Sequence, residues 1–277
     1  MSGSAGQTGW TTDGAGSSAA MAGGARHPII EFRNLGLWYG GYHALVDINE
    51  TVYPKDCVVI CGPSGSGKSS LLRCVNGLEK FQQGDVIVRG TSVKHCRDLP
   101  ALRYHVGLVF QRFELYPHMT CLSNVRLALR KVLKLPRAEA DRRAAEVLAR
   151  FGVLDQAGKY PAQLSGGQQQ RVAICRSLVL EPDVMMFDEP TSALDPEMID
   201  DVLEVLLQLV REGMTMLIVT HEMQFARDVA TRIIFMEQGR VVEHGTKEQF
   251  FSGTRNPRTR AFLDRVFKEK RAEERSR

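Results

Sequence analysis

From residue 28 onward the chain alternates short apolar runs with stretches in which apolar residues recur every three or four positions. The runs are IIEF (29–32), VVIC (58–61), VIV (86–88), VGLVF (106–110), VMMF (184–187), MLIVT (216–220), IIFM (233–236) and RVVE (240–243). Each has the length of a strand, and continuous apolar character predicts burial on both faces. Helical spacing marks SSLLRCVNGL (69–78) and residues 136–151, 166–180 and 196–211. Buried strands alternating with helices predict an α/β fold around a largely parallel sheet. Residues 112–165 hold no convincing strand and predict a mostly helical insertion.

Residues 1–27 are rich in Gly, Ser, Ala and Thr with almost no large apolar side chain, so they are expected to be a disordered tail. They lack the apolar core of a signal peptide, and Met21, just before the first folded segment, is a candidate true start. At the other end, KEKRAEERSR mixes both charge signs and predicts a solvated, fraying helix end.

Composition adds exclusions. The 277 residues are 43% hydrophobic, ordinary for a globular protein, and a net charge of +4 is too mild for a nucleic-acid footprint. No apolar run reaches the length of a membrane span, so work at a membrane would go through a partner. The six cysteines show no C-x-x-C spacing and read as free thiols of a cytosolic protein; Cys57 and Cys61 are expected to be buried on a strand rather than to bind metal.

Candidate chemistry sits directly after the apolar runs. GPSGSGKS (62–69) follows VVIC, precedes a helix and fits the phosphate-loop pattern. In it Gly62, Gly65 and Gly67, with Ser64 and Ser66, let backbone N–H groups wrap phosphates. Lys68 brings charge to the β/γ-phosphates, and the Ser69 hydroxyl suits Mg²⁺. Asp188, closing VMMFD, is suited to hold Mg²⁺ through water, and Glu189 to orient or polarise an attacking water. Gln111 follows VGLVF and His221 follows MLIVT. Ligands of open α/β sheets bind beyond the carboxyl ends of the strands, so these side chains are expected to converge on one γ-phosphate.

A second anion-binding pattern lies in LSGGQQQR (164–171). Ser165 and Gln168 make an S-x-x-Q capping box, and Val172, Cys175, Leu178 and Val179 form the apolar stripe of the helix that follows. Gly166 and Gly167 are poor helix formers, each costing roughly 1 kcal/mol against Ala in a helix interior. Two together point to a close approach to the backbone.

GPSGSGKS, VFQ, LSGGQQQR, MMFDEPTSALD and VTHE, in this order, resemble the nucleotide-binding subunit of ATP-binding-cassette (ABC) transporters, over essentially residues 28–267. The resemblance implies a phosphate-loop NTPase domain over 28–277, with a mostly parallel central sheet, an N-terminal antiparallel β portion and a helical subdomain at approximately 112–180. It implies ATP and Mg²⁺ as cofactors, with Ser69, Gln111 and Asp188 around the metal. Glu189 matches the catalytic carboxylate, His221 the switch histidine, and Gln111 the link between the metal site and the helical subdomain. Tyr39 matches the aromatic that stacks on adenine, with Trp38 and Tyr42 as lesser substitutes. Ser70 belongs to the nucleotide-binding set although Thr is usual there; Asp56-Cys57, Cys175 and Ser177 are further departures.

Two such subunits pair head to tail, so Ser165, Gly166, Gly167 and Gln168 would face the nucleotide held by the partner, and Asp195 would pass between the two sites. FELYPHMT (113–120), TSALDPEM, GMTMLIVTHEMQFARDVA and EQFF narrow the resemblance to ATPases of bacterial polar amino-acid importers, of the glutamate/aspartate, glutamine or general L-amino-acid type. The implied partners are a second copy, two transmembrane permease subunits and, indirectly, a periplasmic amino-acid-binding protein, with no nucleic acid; the implied location is the cytoplasmic face of the inner membrane. A soluble ABC ATPase acting on DNA or ribosomes is the alternative. It usually carries a long coiled coil or two cassettes in one chain. A simple phosphate-loop kinase or GTPase would leave LSGGQQQR unexplained.

Overall fold

The computed structural model describes residues 26–275. The expected tail at 1–27, apart from its last two residues, and the candidate start Met21 lie outside the described residues. In chain order the first part holds β1 (Ile30–Tyr39), β2 (Tyr42–Val52), β3 (Cys57–Cys61), α1 (Lys68–Val75), β4 (Gln83–Val88), β5 (Thr91–Ser92), α2 (Leu99–Tyr104) and β6 (Val106–Val109). Three helices follow: α3 (Cys121–Lys131), α4 (Arg137–Arg150) and α5 (Gly166–Leu178). The last part holds β7 (Val184–Asp188), α6 (Pro196–Arg211), β8 (Thr215–Val219), α7 (Met223–Val229), β9 (Arg232–Glu237), β10 (Arg240–Thr246), α8 (Lys247–Gly253) and α9 (Pro257–Arg275).

Strands β9, β3, β8, β7 and β6 run parallel in that spatial order, with β10 antiparallel on the β9 edge. A separate antiparallel sheet has the order β2-β1-β4-β5. All eight apolar runs read from the sequence fall in or overlap these strands. β2 has no counterpart among them: Asp47 sits at a positive φ of 52°, and register shifts interrupt its pairing with β1, so its apolar residues keep no continuous run.

The parallel strands separate two apolar cores because successive side chains point to opposite faces. Cys57, Val59 and Cys61 of β3, with Met185 and Phe187 of β7, join the core under the helices α3–α7. Val58, Ile60, Val184 and Met186 point the other way, into a core shared with α1 and the antiparallel sheet. Each fully buried Val, Ile or Phe contributes about 1.5–3 kcal/mol from water exclusion, which is why these strands read as unbroken apolar runs. Cys57 and Cys61 are buried free thiols; burial pushes the Cys57 thiol up to about 12 and the Cys61 thiol higher still.

Among the described residues of the 112–165 stretch there are two α-helices and two short 3₁₀ turns, and no strand. The sheet leaves the carboxyl ends of β3, β6, β7 and β8 side by side, and the loops that leave those ends carry the candidate chemistry.

Candidate functional site

The loop of residues 62–67 turns sharply out of β3 into α1. Gly62 has φ 143°, and a Cβ there would stand 2.0 Å from the Met236 carbonyl oxygen of β9. Gly67 caps α1 at φ 97°, where a Cβ would meet the Ala44 carbonyl at 2.7 Å. These two glycines let the loop press against β9 and the β1–β2 hairpin. The hairpin is tied back by hydrogen bonds from Val46 N to Gly239 O (2.8 Å) and from Gly239 N to Ser66 O (3.2 Å).

Lys68 lies buried at the first position of α1, and its ammonium donates to the carbonyls of Gly62 and Pro63, each at 2.9 Å. Burial pulls it below the usual lysine range, against the support of the Glu189 and Asp188 carboxylates. One of its three N–H donors remains for a ligand. Ser66 Oγ is also buried without a protein partner.

The next residue, Ser69, donates its hydroxyl to Asp188 Oδ1 at 2.6 Å across 119 residues of sequence. Burial raises the Asp188 carboxyl above the ordinary range, opposed by the Ser69 hydrogen bond and by Arg73, whose Nη2 lies 3.8 Å from Oδ2. Arg73 was not among the residues read from the sequence. Its signal is spacing, for it lies one helical turn beyond Ser69 and so on the same face of α1. The Ser69 hydroxyl and the Asp188 carboxylate are hard oxygen donors that fit Mg²⁺. Among the described residues no three His, Cys, Asp or Glu side chains form a metal cage.

Glu189 takes a positive φ of 49°, rare for a residue with a side chain, and its N–H is fixed by the Val219 carbonyl of β8 at 2.9 Å. This turn aims its carboxylate at His221, whose Nε2 lies 3.2 Å from Oε1. That hydrogen bond holds Glu189 below the usual carboxylate range despite partial burial. Gln111, after β6, shares a cavity of about 430 Å³ with Glu189, Ser64, Gly65, Ser66, Gly67, Lys68, Ser69, Ser70, Ala44, Tyr39 and Tyr42. Both tyrosines stand at the exposed tip of the β1–β2 hairpin.

Ser165, Gly166, Gly167, Gln168 and Asp195 do not line this cavity. Ser165 caps α5: its hydroxyl accepts from Gln168 N at 3.3 Å while its own N–H donates to Gln168 Oε1 at 3.1 Å, the capping box read from the sequence. The two glycines have a neighbour within the chain. A Cβ on Gly166 would stand 3.0 Å from Leu194, and Gly167 is buried against Met198 of α6. Asp195 is the N-cap of α6.

The family model described as ABC transporter matches residues 45–192, more than half of the chain. The chain belongs to the ABC transporter family. Its relatives include the glutamine transport ATP-binding protein GlnQ of Geobacillus stearothermophilus, 53% identical over 86% of this chain and 99% of the relative. The glutamate/aspartate import ATP-binding protein GltL of Escherichia coli is 52% identical over the same shares of both chains. Among solved structures, the dimeric ABC cassette MJ0796 in a post-hydrolysis state with ADP and Pi superposes with a TM-score of 0.71 at 34% identity, covering 79% of this chain and 98% of that one. The ABC fold is thus the phosphate-loop NTPase architecture expected, with its antiparallel sheet beside a mostly parallel one. Family membership brings nucleotide binding and ATP hydrolysis with it. Among the described residues no helix is long and apolar enough to cross a membrane.

Proposed function

We propose that this ABC ATPase powers import of polar or general L-amino acids through a bacterial inner membrane. Its immediate partners are a second copy of itself and two permease subunits, and a periplasmic amino-acid-binding protein delivers the solute. The observation that carries the catalytic part is Glu189, hydrogen-bonded to His221 and lining the cavity that Lys68, Ser69 and Gln111 also line. The amino-acid part rests on the transport names of the relatives, which do not favour a DNA- or ribosome-directed ATPase.

In this reading the loop amides of residues 64–69 and Lys68 hold the ATP phosphates, and Tyr39 stacks on the base. Ser69 and Asp188, with Gln111 nearby, would hold Mg²⁺, which would supply positive charge at the β/γ-phosphates. Glu189, kept ionised by His221, orients a water and accepts its proton. Ser165, Gly166, Gly167 and Gln168 stand outside the cavity because they complete the site of the other copy, with Asp195 between the two sites. ATP therefore closes a head-to-tail dimer on the cytoplasmic face, and hydrolysis reopens it.

Glu189→Gln tests this directly. Turnover is expected to fall by about 10²–10⁴-fold, the usual worth of a general base, while ATP binding persists and a dimer accumulates in gel filtration. Normal hydrolysis by this variant refutes the assigned role. Co-purification with permease chains from solubilised membranes tests the transport reading.

A further inference from the structure

The tip of the β1–β2 hairpin is fastened at two points, one on the first turn of α1 and one on the phosphate loop. Tyr39 Oη and Ser70 Oγ lie 3.2 Å apart and share a hydrogen bond across 31 residues of sequence. On the other side of the loop, Tyr42 Oη donates to the Gly65 carbonyl at 3.4 Å. Tyr39 is 44% exposed, so packing alone does not hold its ring; the hydroxyl contact does. The 430 Å³ cavity stays open with this contact made, so the contact holds the ring at the wall of the cavity and does not cover it. Burial raises the Tyr39 phenol, opposed by the Ser70 hydrogen bond and helped by a hydrogen bond to Glu79, so the ring keeps its proton.

We infer that Ser70 is a positioning residue for the nucleotide base: its hydroxyl, hydrogen-bonded to Tyr39, fixes the ring plane on which the base stacks. The inference rests on the reading of the cavity as an ATP site and adds that the phenol hydroxyl, not only the ring, contributes to base affinity. A ring held in place beforehand loses less freedom when the base docks.

Calorimetric titration of the full chain with ATP and with inorganic tripolyphosphate tests this. Tyr39→Phe keeps the ring and removes the tether. It is expected to weaken ATP binding by about 3- to 10-fold, the scale of one neutral hydrogen bond, and to leave tripolyphosphate binding unchanged. Ser70→Ala is expected to weaken ATP binding to a similar extent, Ser70→Thr to restore it, and the double variant to bind ATP no worse than Ser70→Ala alone. Unchanged ATP affinity in Tyr39→Phe, equal loss for both ligands in that variant, or fully additive losses in the double variant would overturn the inference. Failure of the unsubstituted chain to bind ATP would instead overturn the nucleotide-site reading.

Discussion

Gly62→Ala is the sharpest test of how the phosphate loop is held. The substitution adds one carbon at φ 143°, a backbone conformation that L side chains rarely adopt and whose cost is about 1–3 kcal/mol. That carbon would lie 2.0 Å from the Met236 carbonyl, and a Cβ essentially never approaches a heavy atom closer than 3.0 Å. The two must separate by about 1 Å, and because the neighbour is backbone of β9 no side chain can swing away; overpacking of this kind costs about 1–3 kcal/mol. The sum, about 2–6 kcal/mol, corresponds to a Tm lower by about 5–20 °C for a domain of this size. Gly65→Ala is the control. It has a positive φ of 76° but nothing within 4 Å of the added carbon, so it carries the backbone cost alone. Thermal unfolding followed by circular dichroism, with and without ATP, reads both variants. If Gly62→Ala melts at or above Gly65→Ala, the close approach of the loop to β9 does not set the loop geometry and the reasoning fails.

His221→Ala removes the main group that lowers the Glu189 pKa. An ionised Glu189 is the active form, so the acid limb of the hydrolysis profile is expected to move up towards the ordinary glutamate value of about 4.3; an unmoved limb in a pH–rate series would refute the coupling. The same sign governs stability: with a depressed folded-state pKa, the Glu189 contribution is present above the unfolded value and is lost as pH falls through the folded one. Ser165→Arg is expected to abolish ATPase activity while monomers still bind ATP, and mixing it with Lys68→Ala chains is expected to restore one complete composite site per heterodimer. Equal loss of monomer ATP affinity in Ser165→Arg, read by calorimetry, would refute action in trans.

Features set by near neighbours along the chain were legible in the sequence. The phosphate loop needs a strand, glycines, Lys68 and a helix within a few residues, and all of these stand together in 58–75. The Ser165–Gln168 capping box spans three positions, so the residue types alone predict both of its hydrogen bonds. The buried parallel strands announce themselves because both faces exclude water and every position must be apolar. β2 was illegible for the opposite reason, since its positive-φ Asp47 and register shifts break any simple period.

Tertiary structure decided everything that depends on distant segments meeting. Ser69 finds Asp188 across 119 residues, His221 finds Glu189 across 32, and Tyr39 finds Ser70 across 31. Arg73 reaches Asp188 only because β7 lies two strands from β3 in the sheet. The glycines of LSGGQQQR looked in the sequence as though some ligand must approach their backbone. The fold adds a second neighbour that spacing could not reveal, the Leu194 and Met198 side chains packed against these glycines. Local hydrogen bonds and periodicity are written in consecutive residues, whereas the strand order that gathers Lys68, Glu189 and Gln111 around one cavity, with Asp188 behind Ser69 and His221 behind Glu189, is a property of the packed sheet.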